Sequence, residues 1–272
     1  MMSNEVVCVL DVLNARDTAR KVYELLLARP TGLEVAKNVI CLLLWLETIM
    51  GIEVLSNIAA MAPGDILPTQ IVAEASAVYD YIFHGSYSMQ APLELEGIPA
   101  IMNLCNGGRL VDIRFFKFHK DLVARGVAVI RDNIGALIFN ENLHVMLRRF
   151  NDDANSSLIP APLPAPELMA PFVALSRTPP EDSRMAFLAF PECHCHRPNS
   201  EDIVNHFEKT LRFGPCIERV ETEQPPAGQA PKHGIIVFLS PELRDEAMFD
   251  ETAIFFRVDD HDTWVQLYMP LL

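Results

Sequence analysis

The stretch PKHGIIVFLSPE, residues 231–242, decides the fold of the last third of this chain. HGIIVFL is a run of β-branched and aromatic residues between a Pro-rich turn, QPPAGQAP, and a Ser-Pro pair, which reads as a strand followed by a helix start. Upstream, RMAFLAF reads as a strand and SEDIVNHFEKTLRF as a helix opened by Ser200, with Ile203, Phe207 and Leu211 on its inner stripe. CIERVETE alternates as a further strand with Val220 inside. Downstream, PELRDEAMFD is a short helix started by Pro241, and AIFFRV and TWVQLYM complete the sheet around the acidic turn DDHD. The order is β-α-β-β-α-β, with room for a small extra strand. Two helices that follow two strand pairs cover one face of a four-stranded antiparallel sheet and leave the other face open.

The first 150 residues carry a different period. Val12, Ala15, Ala19, Val22 and Leu26 recur at helical spacing before Pro30 stops the run. Thr31 stands three residues before Glu34, the pattern of a capping box. The apolar segment that follows, residues 35–61, carries Glu47 and Glu53, and ionised carboxylates there are costly in lipid. A buried helical hairpin, bent or divided at Gly51, is the expected reading, and no transmembrane segment is expected. Ile71, Ala75, Val78 and Ile82 mark another helix. Leu110, Ile113, Phe116 and Lys120 lie on one stripe, and Val123, Val127, Ile130, Ile134 and Leu137 on the next. Without a fixed-period repeat, this is a helical bundle or irregular helical stack rather than a solenoid. The seam lies at residues 151–183, rich in Pro, Ala, Ser and Asp, which reads as an extended spacer. The expected layout is a helical domain over residues 1–150, a linker over 151–183 and an α+β domain over 184–270.

The C-terminal segment resembles the RNA-recognition motif, a ferredoxin-like fold. The whole chain is similar to a poorly characterised plant protein family with a helical N-terminal region and a divergent module of this kind. That family brings no established reaction or ligand, so the resemblance implies a domain layout and a plant origin. In the motif, the third-strand octamer carries aromatics at its third and fifth positions, which stack on bases. Ended at Phe238, the octamer here is PKHGIIVF, which puts His233 and Ile235 at those positions and Gly234, Ile236 and Phe238 on the core face. The first-strand hexamer AFLAFP keeps its aromatic at Phe187. One of three platform aromatics is therefore retained, with His233 as a weak substitute.

Charge argues in the same direction. The chain has 22 Lys and Arg against 36 Asp and Glu, a net charge of −14, and from residue 185 to 272 the counts are 7 against 15. Affinity for a phosphate backbone comes from cations that release counterions, so an acidic surface opposes it. The expected function is thus a non-enzymatic protein-interaction or regulatory scaffold with a degenerate RNA-recognition-motif-like module, whose sheet face of Phe187, Ile235 and Val237 is covered by protein. The alternative is single-stranded RNA contacted through Phe187, Lys232, His233 and Arg257. A protein partner, or self-association, is expected through the helical domain.

No constellation of an enzyme stands out, and no small-molecule substrate or cofactor is expected. CHCH, residues 193–196, has the ligand chemistry of a zinc site, with Cys193, Cys195, His196 and His206 as candidates. No second Cys pair at finger spacing follows, so exposed loop thiols and imidazoles are expected and no metal is. NGGR, residues 106–109, lacks the Lys-Ser/Thr ending of a phosphate loop and reads as a helix separator. RFFKFHK, residues 114–120, interleaves Arg114, Lys117 and Lys120 with three Phe residues. It reads as a packed amphipathic helix rather than a nucleic-acid or lipid surface. The six cysteines have no disulfide-framework spacing and no signal peptide is visible, so a cytoplasmic or nuclear setting is expected.

Overall fold

The structure is a computed structural model that describes residues 7–61, 67–85, 97–105, 110–155, 163–175, 177–190, 198–210, 212–226, 228–258 and 261–269. An N-terminal helical region is followed by a mixed α/β unit built on a five-stranded antiparallel sheet.

The helical region is organised around α3 (Leu33–Met50). Residues Val39 to Leu46 are all buried, so α3 is apolar around its whole circumference and must lie inside the bundle. Against it pack α2 (Asp17–Leu27), α4 (Val54–Ala59), α5 (Leu67–His84) and α8 (Lys120–Ile130). Gly51, at φ 61°, ends α3 in the left-handed conformation that favours glycine and turns the chain into α4. Glu47 Oε2 accepts from the Leu55 amide at 3.0 Å, which satisfies a free donor at the start of α4. Glu74 on α5 does the same for α6 (Pro99–Leu104), accepting from Ala100 at 3.1 Å and Ile101 at 2.9 Å. Among the described residues no helix is long and apolar enough to cross a membrane. Gly126 on α8 meets α3 so closely that a Cβ there would overlap the Trp45 indole.

Several boundaries differ from the sequence reading. α3 begins after Gly32 with no side-chain cap, so Thr31 and Glu34 form no capping box, and Glu34 instead pairs with Lys37 at 2.8 Å. The first helical run divides at Arg16 into α1 (Val9–Ala15) and α2, which leaves Ala15 exposed. The stripe over residues 110–137 divides at His119, between α7 (Ile113–Phe118) and α8. A π-helical turn, Arg131–Gly135, then leads into a last α turn, Ala136–Ile138, and to α9 (Glu141–Asn155). Asn133 in the wide turn donates to Val129 O at 2.7 Å and accepts from the Leu175 amide at 2.5 Å. That bond ties the inter-region segment to the bundle. Residues 163–175 differ from a free spacer, because Leu168 is fully buried against Val9, Leu13 and Leu147. The Val9 amide donates to Ala170 O at 3.0 Å and the Leu10 amide to Leu168 O at 2.8 Å.

In the α/β unit the elements are β1 (Met185–Ala189), α10 (Ser200–Asn205), β2 (Ile217–Thr222), β3 (His233–Phe238), α11 (Pro241–Ala247), β4 (Ala253–Val258) and β5 (His261–Leu267). Asn199, rather than Ser200, caps α10 and forms a capping box with Asp202. The strand order is β2-β3-β1-β5-β4, so the extra strand is β4, an edge strand hairpinned onto β5. On one face Ala186, Leu188, Ile236, Phe238, Val265 and Leu267 form a core with Ile203 and Phe207 from the α10 segment and Ala247 and Met248 from α11. The other face is also buried. Met185, Phe187, Ala189, Val237 and Tyr268 belong to the same apolar core as Trp45, Phe115 and Phe116 of the helical region.

Candidate functional site

Strand alternation and the observed register place one set of side chains on the face opposite α10 and α11. Phe187 pairs with Ile235 on one side and Gln266 on the other, and Ala189 pairs with His233 and Trp264. Met185 lies beside Val237, and Phe255 on β4 lies beside Trp264. Phe187, His233, Ile235 and Val237 therefore share a face.

α7 covers that face. Asp112 is extended and its Oδ1 accepts from the Phe115 amide at 2.8 Å, an N-cap that fixes where the helix starts. From this start Phe115 reaches the sheet, with its ring centroid 5.3 Å from Phe187 and 5.7 Å from His233. His119, where α7 ends, meets Phe187 edge-on at 4.9 Å, and Tyr268 closes the other side of Phe187 at 5.6 Å. Phe187 is 1% exposed and His233 0%.

Polar groups lock the contact. His233 Nε2 lies 2.8 Å from Asp112 Oδ1, and Lys232 Nζ lies 2.6 Å from Asp112 Oδ2. Arg114 donates to both oxygens of Glu223, at 2.9 and 2.6 Å, and to Ala230 O at 2.8 Å, clamping the β2–β3 connection onto α7. Gln266 donates to Ile49 O at the end of α3 and accepts from Trp264 Nε1. Burial alone would raise the Asp112 carboxyl. The bond and charge of His233, then Lys232 and the Phe115 amide, reverse this and hold it well below the usual carboxylate range. Glu223 shows the same balance, with burial opposed by Arg114 and the Lys232 amide, and is lowered. Burial, then His233, depresses His119 well below the imidazole range. Burial pushes Tyr268 up to about 12.

The remaining sequence candidates fall in several places. Ile235 and Val237 pack on the helical core, Ile235 in part. Arg257 stands on edge strand β4 opposite Asp262. Arg219 is engaged by Glu181, Glu221 and Glu218 at 2.5, 2.7 and 3.4 Å. Lys232 and Arg219 are matched by carboxylates, and Arg257 stands at the opposite edge of the sheet from Arg219. Cys193, Cys195 and His196 lie outside the described residues, as does NGGR. His206 packs on Phe207 and Phe256 beneath the opposite face. Among the described residues no group of three metal-ligating side chains converges. Cys41 and Cys105 are core thiols that burial pushes up to about 12. In RFFKFHK, Phe115 and Phe116 are fully buried, and Lys120 stands 5.0 Å over the Tyr81 ring.

Sequence reasoning missed Asp112 and His119 as interface groups, and the aromatic pair at the outer rim of the face. Phe255 there is 46% exposed and meets Trp264 at 4.6 Å. A cleft of about 500 Å³ lies beside it, lined by Thr48, Ile49, Cys105, Ala253, Trp264 and Gln266. The signal that could have found the interface is the double Phe of RFFKFHK, read in sequence only as a packed amphipathic helix, since Phe115 and Phe116 are both fully buried. Comparison of the chain with protein-family models, curated proteins and solved structures returned no match in any of the three.

Proposed function

We propose that the C-terminal unit is a ferredoxin-like, RNA-recognition-motif-like module whose sheet face serves protein contact, in a chain that acts as a non-enzymatic interaction or regulatory scaffold. The observation that carries this reading is Phe187, 1% exposed beneath Phe115, His119 and Tyr268 of its own chain. A stacking platform works by offering free ring faces, worth about 1–3 kcal/mol per base, and here the helical region occupies them. The charge supports the same reading, because Lys232 and Arg219 already face carboxylates of the chain itself. Contact with a further protein, or with a second copy, falls to the helical region.

A second reading, contact with single-stranded RNA, draws on the aromatic cluster at this face: Phe187 and Tyr268 at its centre, and Phe255 and Trp264 at its rim beside Arg257. Titration with short single-stranded RNA at about 50 mM salt separates the two. Protein contact predicts negligible binding. Low-micromolar binding that falls steeply with salt and is lost in Phe255→Ala, a change at an exposed position, would establish the RNA reading instead.

A further inference from the structure

The contact between the helical region and the sheet has two histidines at its centre, one from each side. His119 comes from the α7–α8 junction and His233 from β3, with ring centroids 6.4 Å apart. Both are buried, and each has a ring nitrogen, Nε2 of His119 and Nδ1 of His233, without a hydrogen-bond partner. His119 is caged by the rings of Phe115 at 4.6 Å, Phe118 at 4.7 Å and Phe187 at 4.9 Å. Of the charged and titratable groups around it, β3 presents His233 and, behind that ring, Lys232 on Asp112. In the β2–β3 connection, Glu223 is held by Arg114. β1 presents Phe187, and on the helix side Lys120 is turned onto Tyr81. Among the described residues no carboxylate bonds His119, so a proton taken up at Nε2 would create a cation without an acceptor inside an apolar contact.

We propose that His119 makes the docking of α7 on the sheet a proton-sensitive latch: the neutral ring completes the aromatic packing, and protonation loosens the helical region from the β1–β3 face. This rests on the protein-contact reading above. The direction follows from linkage. The docked state holds His119 neutral, with burial as the main cause and His233 the second. An undocked His119 takes up a proton near the ordinary value of about 6.5, so docking is at full strength above that value and weakens as pH falls below it. With the docked ring neutral throughout, the opening constant rises about tenfold between about pH 7.5 and about pH 5.5.

Hydrogen exchange of the amides at residues 113–119, 185–189 and 233–238, corrected for intrinsic rate, tests this in the full chain. The tenfold rise is expected in the native protein relative to His119→Phe, which keeps an aromatic ring and removes the proton site. Protected amides whose pH response equals that of His119→Phe overturn the latch and leave the docking intact. Amides unprotected at both pH values overturn docking and latch together. If His119→Phe does not fold, the ring resonance of His119 in the native chain decides: a neutral ring at about pH 6 supports the latch, and a titration midpoint at or above about 6.5 overturns it.

Discussion

Phe187→Asp is expected to lower stability by about 5 kcal/mol or more, and to unfold the helical region together with the sheet. Loss of a buried Phe costs about 3–5 kcal/mol, and the new carboxylate would be buried without a cation or donor shaped to receive it. Total stabilities of about 5–15 kcal/mol leave little in reserve. The breadth of the effect follows from where the ring sits. Phe187 belongs to one apolar core that also contains Trp45, Phe115 and Phe116, so the helices lose their lower wall when the strand is disturbed. Urea unfolding followed by helical circular dichroism and by tryptophan fluorescence checks this, since Trp45 and Trp264 lie in the two regions. Both signals should shift to lower denaturant together. If Phe187 stood on an open platform, the same substitution would cost under about 1 kcal/mol.

Asp112→Ala is expected to cost about 3–5 kcal/mol at neutral pH, the range for removing one member of a buried ion pair. One carboxylate here receives His233, Lys232 and the Phe115 amide. Its removal leaves the Lys232 ammonium without that partner and takes away the cap of α7. Because the folded pKa is depressed, the Asp112 contribution is complete above the unfolded value of about 3.9 and is lost as pH falls through the lower folded value. Thermal melts of both proteins should therefore differ most at neutral pH and converge in strong acid. A constant difference across that range would remove the carboxylate charge from the account.

The strand and helix pattern of the C-terminal third was legible because short-range signals set it. Alternation placed Ile236 and Phe238 on one face and Ile235 and Val237 on the other, and that division holds in the sheet. The extra strand was legible too, since AIFFRV alternates as well as its neighbours do. What covers the second face was not legible. His233 looks in sequence like a weak stacking residue, yet its partner Asp112 is 121 residues away. Pairing over such a separation depends on the packing of the whole bundle, which no local pattern records. The Pro- and Ala-rich seam misleads for a related reason. Its composition favours extended backbone, but extended backbone still buries Leu168 and pairs with α1 when a bundle edge lies alongside. Thr31 fails as a cap because Gly32 takes the N-cap position, one residue closer to the helix.

The central claim is that α7 of the same chain sits on the β1–β3 face. It is tested most directly by nuclear Overhauser contacts in protein labelled selectively at Phe and His. The account predicts cross-peaks from the Phe187 ring to Phe115 and His119, whose centroids lie 5.3 and 4.9 Å away. A Phe187 ring that shows no contact to either residue, and broadens with a soluble paramagnetic probe as exposed rings do, would contradict it.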